Sequence, residues 1–281
     1  ERHMDLTTFT QTYKLNREEV YPIYFFVRGD KYRFWNLFET NIHLFGVEEP
    51  GKLYLFGTDV TGKDVFTSIF YGARVSLTVG LVGVFLSIII GTLLGIASGY
   101  WGGPLDIILQ RIIEVLLSFP RIPLWLALSA ALPPDWSSIK VFFGVTIVLS
   151  LVNWGGLARQ LRGKVLSMRE EEYILAAKAG GASTFWIISR HLVPNSMSHI
   201  LVIATLSIPA MILGETMLSF LGLGIKPPMT SWGVLLGKAQ HTRILIQTPW
   251  VVIPALFVIL TILAFNFVGD GIRDAADPFS T

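Results

Sequence analysis

Three kinds of residue in this chain could do chemistry: glycine–lysine pairs near a phosphate-binding pattern, histidines, and ionisable side chains inside long apolar runs. Gly163-Lys164-Val165 and Gly237-Lys238-Ala239 come nearest to a phosphate loop. Ala158 and Trp232 stand where the earlier glycine is needed, and no hydroxyl residue follows either lysine. The chain therefore does not bind ATP by this means. The five histidines (His3, His43, His191, His199, His241) form no His-Glu-x-x-His pair, and no Gly-x-Ser-x-Gly elbow is present. With no cysteine there is no disulfide framework, thiolate metal site or iron–sulfur cluster. No catalytic, cofactor-binding or metal-ligating residue is assigned, and the reading is not that of an enzyme.

The ionisable residues in apolar surroundings are more informative. A charge at the centre of a membrane helix costs about 2.5–3.5 kcal/mol on insertion scales, so such residues default to function or pairing. Arg111 and Glu114 are three apart and are expected to form a structural ion pair. Arg121 lies between Pro120 and Pro123, where a bent helix would free carbonyls to accept its hydrogen bonds. Glu215, Asn153 and Asn266 are candidates for a pathway or gate, Glu215 foremost, with helix–helix hydrogen bonding as the competing role. Pro209 and Pro254 are expected to kink their helices.

The elements holding these residues follow from composition. Of 281 residues, 52% are hydrophobic and 15% charged, against roughly 25% charged in soluble domains. Residues 75–105, 141–158, 191–214 and 244–269 carry no Asp, Glu, Lys or Arg. Such runs read as membrane-spanning helices. The expectation is an all-α polytopic membrane protein with five spans, at about 75–98, 105–132, 139–158, 197–221 and 249–269. Residues 1–64 differ: they hold ten of the 20 acidic residues, many aromatics and turn signals such as Arg28-Gly29-Asp30. They read as a folded aqueous segment, and 65–281 as the transmembrane domain. The net charge of +2 implies no polyelectrolyte partner such as nucleic acid, and the apolar spans imply membrane lipid as a partner.

Orientation comes from the loop 159–195, which holds Arg159, Arg162, Lys164, Arg169, Lys178 and Arg190 close to the membrane ends. The positive-inside rule places it in the cytoplasm, and the C-terminus with it. Five spans then leave residues 1–64 outside with nothing to start their translocation. One further helix before Glu1 is expected, giving six spans.

Within that loop, residues 170–194 read as two short helices. Three glutamates open the first, suiting its positive end. Tyr173, Ala176, Ala177 and Gly180 share one face of small side chains, and Gly180-Gly181 ends the helix. Ser183 or Thr184 caps the second, which presents Phe185, Ile188 and Leu192 on one face until Pro194-Asn195 stops it.

This stretch resembles the EAA loop of ABC importer membrane subunits, with Ala176-Ala177, Gly181 and Pro194 in register and Glu172 just upstream. Arg190-His191-Leu192-Val193-Pro194-Asn195, Gly57-Thr58-Asp59-Val60-Thr61-Gly62-Lys63-Asp64 and Gly99-Tyr100-Trp101-Gly102-Gly103 are similar to motifs of its peptide branch. So are Leu218 to Gly224, Ser231-Trp232-Gly233 and Asn266 to Pro278. The chain is thus identified as resembling the C-type permease of dipeptide/oligopeptide ABC importers, a branch that moves peptides, nickel complexes or oligosaccharides. The resemblance implies a type I importer permease fold in a prokaryotic cell membrane. It implies a second homologous permease, two ATPase subunits that hold ATP and magnesium, and an extracytoplasmic solute-binding protein. It also implies that Glu172, Tyr173, Ala176, Ala177, Gly180, Gly181 and Pro194 form the ATPase-coupling element. The alternative, a self-sufficient secondary transporter or channel, would show inverted repeats, and none is visible.

Overall fold

A proline that follows an apolar helix dictates the first departure from the expected spans. Phe119, preceding Pro120, is held out of the helical region at φ −87°, ψ 140°, because the proline ring clashes with a helical neighbour. In this computed structural model, which describes residues 2–4, 11–13, 20–34, 37–48 and 51–276, the expected span 105–132 is therefore two helices. They are bent by 94° at the break.

Ten α-helices are described, α1 (Val65–Trp101), α2 (Gly103–Ser118), α3 (Arg121–Ala130), α4 (Ser138–Met168) and α5 (Glu172–Ala179), then α6 (Thr184–Ile187), α7 (Val193–Phe220), α8 (Trp232–Gly237), α9 (Thr242–Gln247) and α10 (Ile253–Ala276). Among the described residues, four helices are long and apolar enough to cross a membrane, or five spans if the bent pair counts as one. Helices α1 and α4 outrun the expected spans at both ends, because a helix does not stop where its side chains become polar. Thus α1 begins ten residues before the expected 75, and α4 continues past 158 to Met168, shortening the expected loop 159–195. The glycine- and proline-rich stretch 222–248 contains α8 and α9. Asp277 and Pro278 of the C-terminal motif lie outside the described residues.

Neither of the two prolines expected to kink a helix breaks one. Pro254 sits in the first turn of α10, where its missing N–H costs nothing. Pro209 lies inside α7, which still runs as one helix from Val193 to Phe220. Pro194 does not stop a helix either. A π turn, Ile188–Leu192, joins α6 to α7, and Val193 N–H bonds back to the Ile188 carbonyl. The wider turn absorbs the bond that Pro194 cannot donate, so residues 184–220 form one continuous helical segment.

The chain divides into two compact units, Glu1–Phe66 with Thr242–Trp250, and Thr67–His241 with Val251–Thr281. The first is not α-helical in its N-terminal part. β1 (Arg2–Met4) pairs antiparallel with β2 (Gln11–Tyr13), and β3 (Tyr24–Phe34) with β4 (Phe38–Gly46). The expected turn at Arg28-Gly29-Asp30 is instead a register shift within β3. The Gly57–Asp64 motif is a tight turn: Asp59 Oδ1 accepts bonds from Thr61 N–H (2.8 Å) and Lys63 N–H (3.0 Å). Asp64 Oδ1 then caps the start of α1 through Phe66 N–H, the usual work of an Asp at that position. Trp250 Nε1 donates to the Thr58 carbonyl at 2.6 Å.

In the second unit, α7 packs on α3, α4, α8 and α10. α1 meets α4 through Gly91, Gly95 and Gly99, one per helical turn. A Cβ at these positions would lie 2.9 Å from the Trp154 carbonyl, 2.7 Å from that of Ala158 and 2.8 Å from that of Arg162. Absent side chains let the two backbones touch, the commonest way for membrane helices to associate closely.

Candidate coupling site and intramembrane polar groups

α5 is a short helix, and eight residues do not hold a helical shape in water unaided. Three local devices keep it folded. Gly181 adopts φ +78°; its N–H bonds to Lys178 O, and Ala182 N–H bonds to Ala177 O at 3.0 Å. This is the Schellman arrangement, which satisfies the last carbonyls and needs a residue free to turn left-handed. Ser183 rather than Thr184 caps α6, its hydroxyl accepting from Trp186 N–H at 3.3 Å. His191 lies between Tyr173 and Trp186, ring centroids 5.5 and 5.0 Å away, and ties α5 to the following turn.

Burial then sorts the faces. Ile174 of α5, Ile187 of α6 and Leu192 form a fully enclosed cluster with Ile96 of α1 and Val165 and Met168 of α4. Ala177 and Ala182 pack against it. The expected strip of small residues is therefore split. Ala177 turns toward its own protein, whereas Glu172, Leu175, Ala176 and Gly180 face outward. Tyr173 is partly exposed and is occupied by His191 on one side. The second face also differs from the 185/188/192 pattern, because Ile187 takes the inward place and Phe185 is 80% exposed. The π turn shifts the helical phase, which spacing alone does not reveal. The outward surface thus joins Leu175, Ala176, Phe185 and Trp186 on a scaffold welded to the ends of α1, α4 and α7.

Next to that scaffold lies a pair not anticipated from sequence. Arg162 donates from Nε to Asp106 Oδ1 at 2.5 Å and from Nη2 to Oδ2 at 2.6 Å, while Ser98 Oγ also donates to Asp106. Arg169 Nη1 reaches the Gly99 carbonyl at 3.2 Å. These bonds bind the α1–α2 junction to α4. An Asp within an apolar stretch signals a cation partner, but a separation of 56 in sequence hides which one.

The residues expected to serve a pathway separate. Glu215 is fully buried, accepting from Ser76 Oγ of α1 at 2.6 Å and from Ser219 Oγ at 2.7 Å. Ser76 Oγ in turn accepts from Trp232 N–H, and Ser219 Oγ from Ile225 N–H. Glu215 is therefore a clamp holding α1, α7 and the chain leading into α8. Asn153 lines a cavity with Arg121, and Asn266 lies half-buried on α10 away from it. Arg111 and Glu114 meet at 2.7 Å on an exposed face.

Comparison with known proteins fits this geometry. Residues 91–280 match the family model described as binding-protein-dependent transport system inner membrane component. The chain is 44% identical over 231 residues to the dipeptide transport system permease protein DppC of Bacillus subtilis, covering 82% of this chain and 70% of that one. It is 42% identical over 228 residues to the oligopeptide transport system permease protein OppC of Haemophilus influenzae, covering 80% and 70%. A chain of the MetNI methionine ABC transporter, in an inward-facing conformation, superposes with TM-score 0.56 at 17% identity, covering 75% of this chain and 97% of that chain. The fold is that of a type I ABC importer permease. The chain belongs to the family of binding-protein-dependent transport system inner membrane components: it is a multi-pass permease subunit of an ABC importer.

Proposed function

We propose that this chain forms one half of a peptide translocation pathway, with a second homologous permease as the other half. Two ATPase subunits hold ATP and magnesium, and an extracytoplasmic protein delivers the peptide. α5 docks on one ATPase subunit through Glu172, Leu175, Ala176 and Gly180, with Gly181 and Pro194 shaping the element behind them. The loop and the C-terminus face the cytoplasm. One observation carries this reading: α5 is fixed through Ile174 to the ends of α1, α4 and α7, so a push on its outward face is delivered to the spans. ATP moves such an element only by favouring one of its two positions.

Ala176→Cys in the assembled complex tests it. A short bifunctional thiol reagent should link this position to an ATPase subunit in a nucleotide-dependent yield. An adduct yield equal to that of an exposed control cysteine at Val20, with peptide uptake insensitive to vanadate, would overturn it.

A further inference from the structure

Where α2 breaks from α3, a cavity of about 120 Å³ opens among α1, α3, α4 and α7, with Ser87, Arg121, Asn153, Gln160, Ser207 and Met211 on its wall. Ser87, Asn153, Ser207 and Met211 all fall in the middle third of their helices. The cavity therefore runs from the middle of these helices toward Gln160 in the last third of α4, beside a broken helix pair of the kind that commonly builds solute sites. Ser87 and Ser207 donate to the Ser150 and Ile203 carbonyls, but two other polar groups on the wall are underused. Arg121 makes neither an ion pair nor a hydrogen bond among the described residues, although Arg111 and Arg162 each have a carboxylate partner. The carbonyls freed at the bend do not occupy it. Asn153 Nδ2 has only the Met211 sulfur, 3.0 Å away, a weak acceptor.

An exposed arginine on the cavity wall without a counter-charge among the described residues is complementary to a carboxylate, which it binds through two parallel N–H donors. The volume is below the roughly 300 Å³ at which whole small ligands are enclosed, so one terminal group fits and the rest of the solute lies outside. The geometry points to this cavity as the subsite for the free C-terminal carboxylate of the transported peptide, an assignment that rests on the peptide reading above. Arg121 binds the carboxylate, and Asn153 and Gln160 complete its donor set. A terminal carboxylate is the one anionic group that every unmodified peptide carries, so a carrier of mixed sequences can hold it without reading side chains.

The test uses the whole complex in proteoliposomes with three probes: tri-alanine, tri-alanine amide, and Ala-Glu-Ala amide, whose carboxylate is on a side chain. R121Q should lower tri-alanine uptake about tenfold and change uptake of either amide by less than about twofold, with R121K intermediate. Equal losses for all three probes, or none, would overturn the subsite. Selective loss of Ala-Glu-Ala amide would replace the terminus with an acidic side chain as the ligand. Wild-type complex that imports no peptide would instead remove the peptide reading itself. A second readout does not depend on delivery. The chain has no cysteine, so S207C gives it a single thiol on the cavity wall. An anionic methanethiosulfonate should modify it faster than a cationic one, tri-alanine but not its amide should slow the reaction, and R121Q should abolish both differences. Equal rates with Arg121 present would refute the assignment.

Discussion

Asp106 and Arg162 face each other in a two-point pair, with bonds of 2.5 and 2.6 Å, between the first turn of α2 and the last third of α4. The carboxylate is 14% exposed and the guanidinium 30%. Removing either partner leaves a partly shielded charge without its mate, at a cost of about 1–3 kcal/mol, whereas removing both leaves no orphan. D106N and R162M should each lower the melting temperature of the purified complex, and the double variant should lose less than their sum. Additive losses in scanning fluorimetry would show that the two side chains act separately.

Gly95 allows α1 to lie against the Ala158 backbone, where any Cβ would come within 2.7 Å of a carbonyl oxygen. G95A is expected to cost about 1–3 kcal/mol through overpacking, and G95L to abolish assembly of the complex. A G95L complex that assembles in wild-type yield by size-exclusion chromatography would contradict the close helix contact.

Ala176 and Ala177 are neighbours with opposite surroundings, one outward and one against the Ile174 cluster. A176W should leave the melting temperature unchanged and remove stimulation of ATP hydrolysis by loaded binding protein. A177W should instead lower the melting temperature, since it overfills a packed interior. Paired ATPase and thermal measurements on both variants decide the matter. Identical behaviour would mean that the two faces of α5 are equivalent.

Glu215 receives serine hydroxyls that themselves hold backbone N–H groups of Trp232 and Ile225. E215A should cost about 2 kcal/mol by leaving Ser76 and Ser219 without their acceptor, and E215Q less. Limited proteolysis should show faster cleavage within 222–231 in E215A only. Unchanged cleavage would place the restraint on that stretch elsewhere.

What the sequence makes legible follows the range of the interaction. Apolar runs locate α1, α4, α7 and α10, since burial in lipid is a composition effect read residue by residue. The limits of α5 are likewise visible, because Gly181 answers to a local need for positive φ. The bend at Pro120 and Pro123 is legible too, but its size is not: the prolines mark a bent helix without showing that it turns through a right angle. Burial of Ala177 and exposure of Phe185 depend on a π turn that offsets the helical phase. The partners of Asp106 and Glu215 are long-range choices among many candidates. The β3–β4 hairpin lies in a stretch whose mixed charge and aromatics indicate folding without naming the element.

The π turn at Ile188–Leu192 has a consequence for the scale of motion. Because Pro194 leaves the helix unbroken, 37 residues from Thr184 to Phe220 form one continuous helical path, about 55 Å long at the usual rise. A tilt of only about 5° about one end sweeps the other through about 5 Å, roughly one helical turn. Structural leverage of this kind lets a modest displacement beside Ser183 be felt at the far tip of α7, next to the serines that hold Glu215.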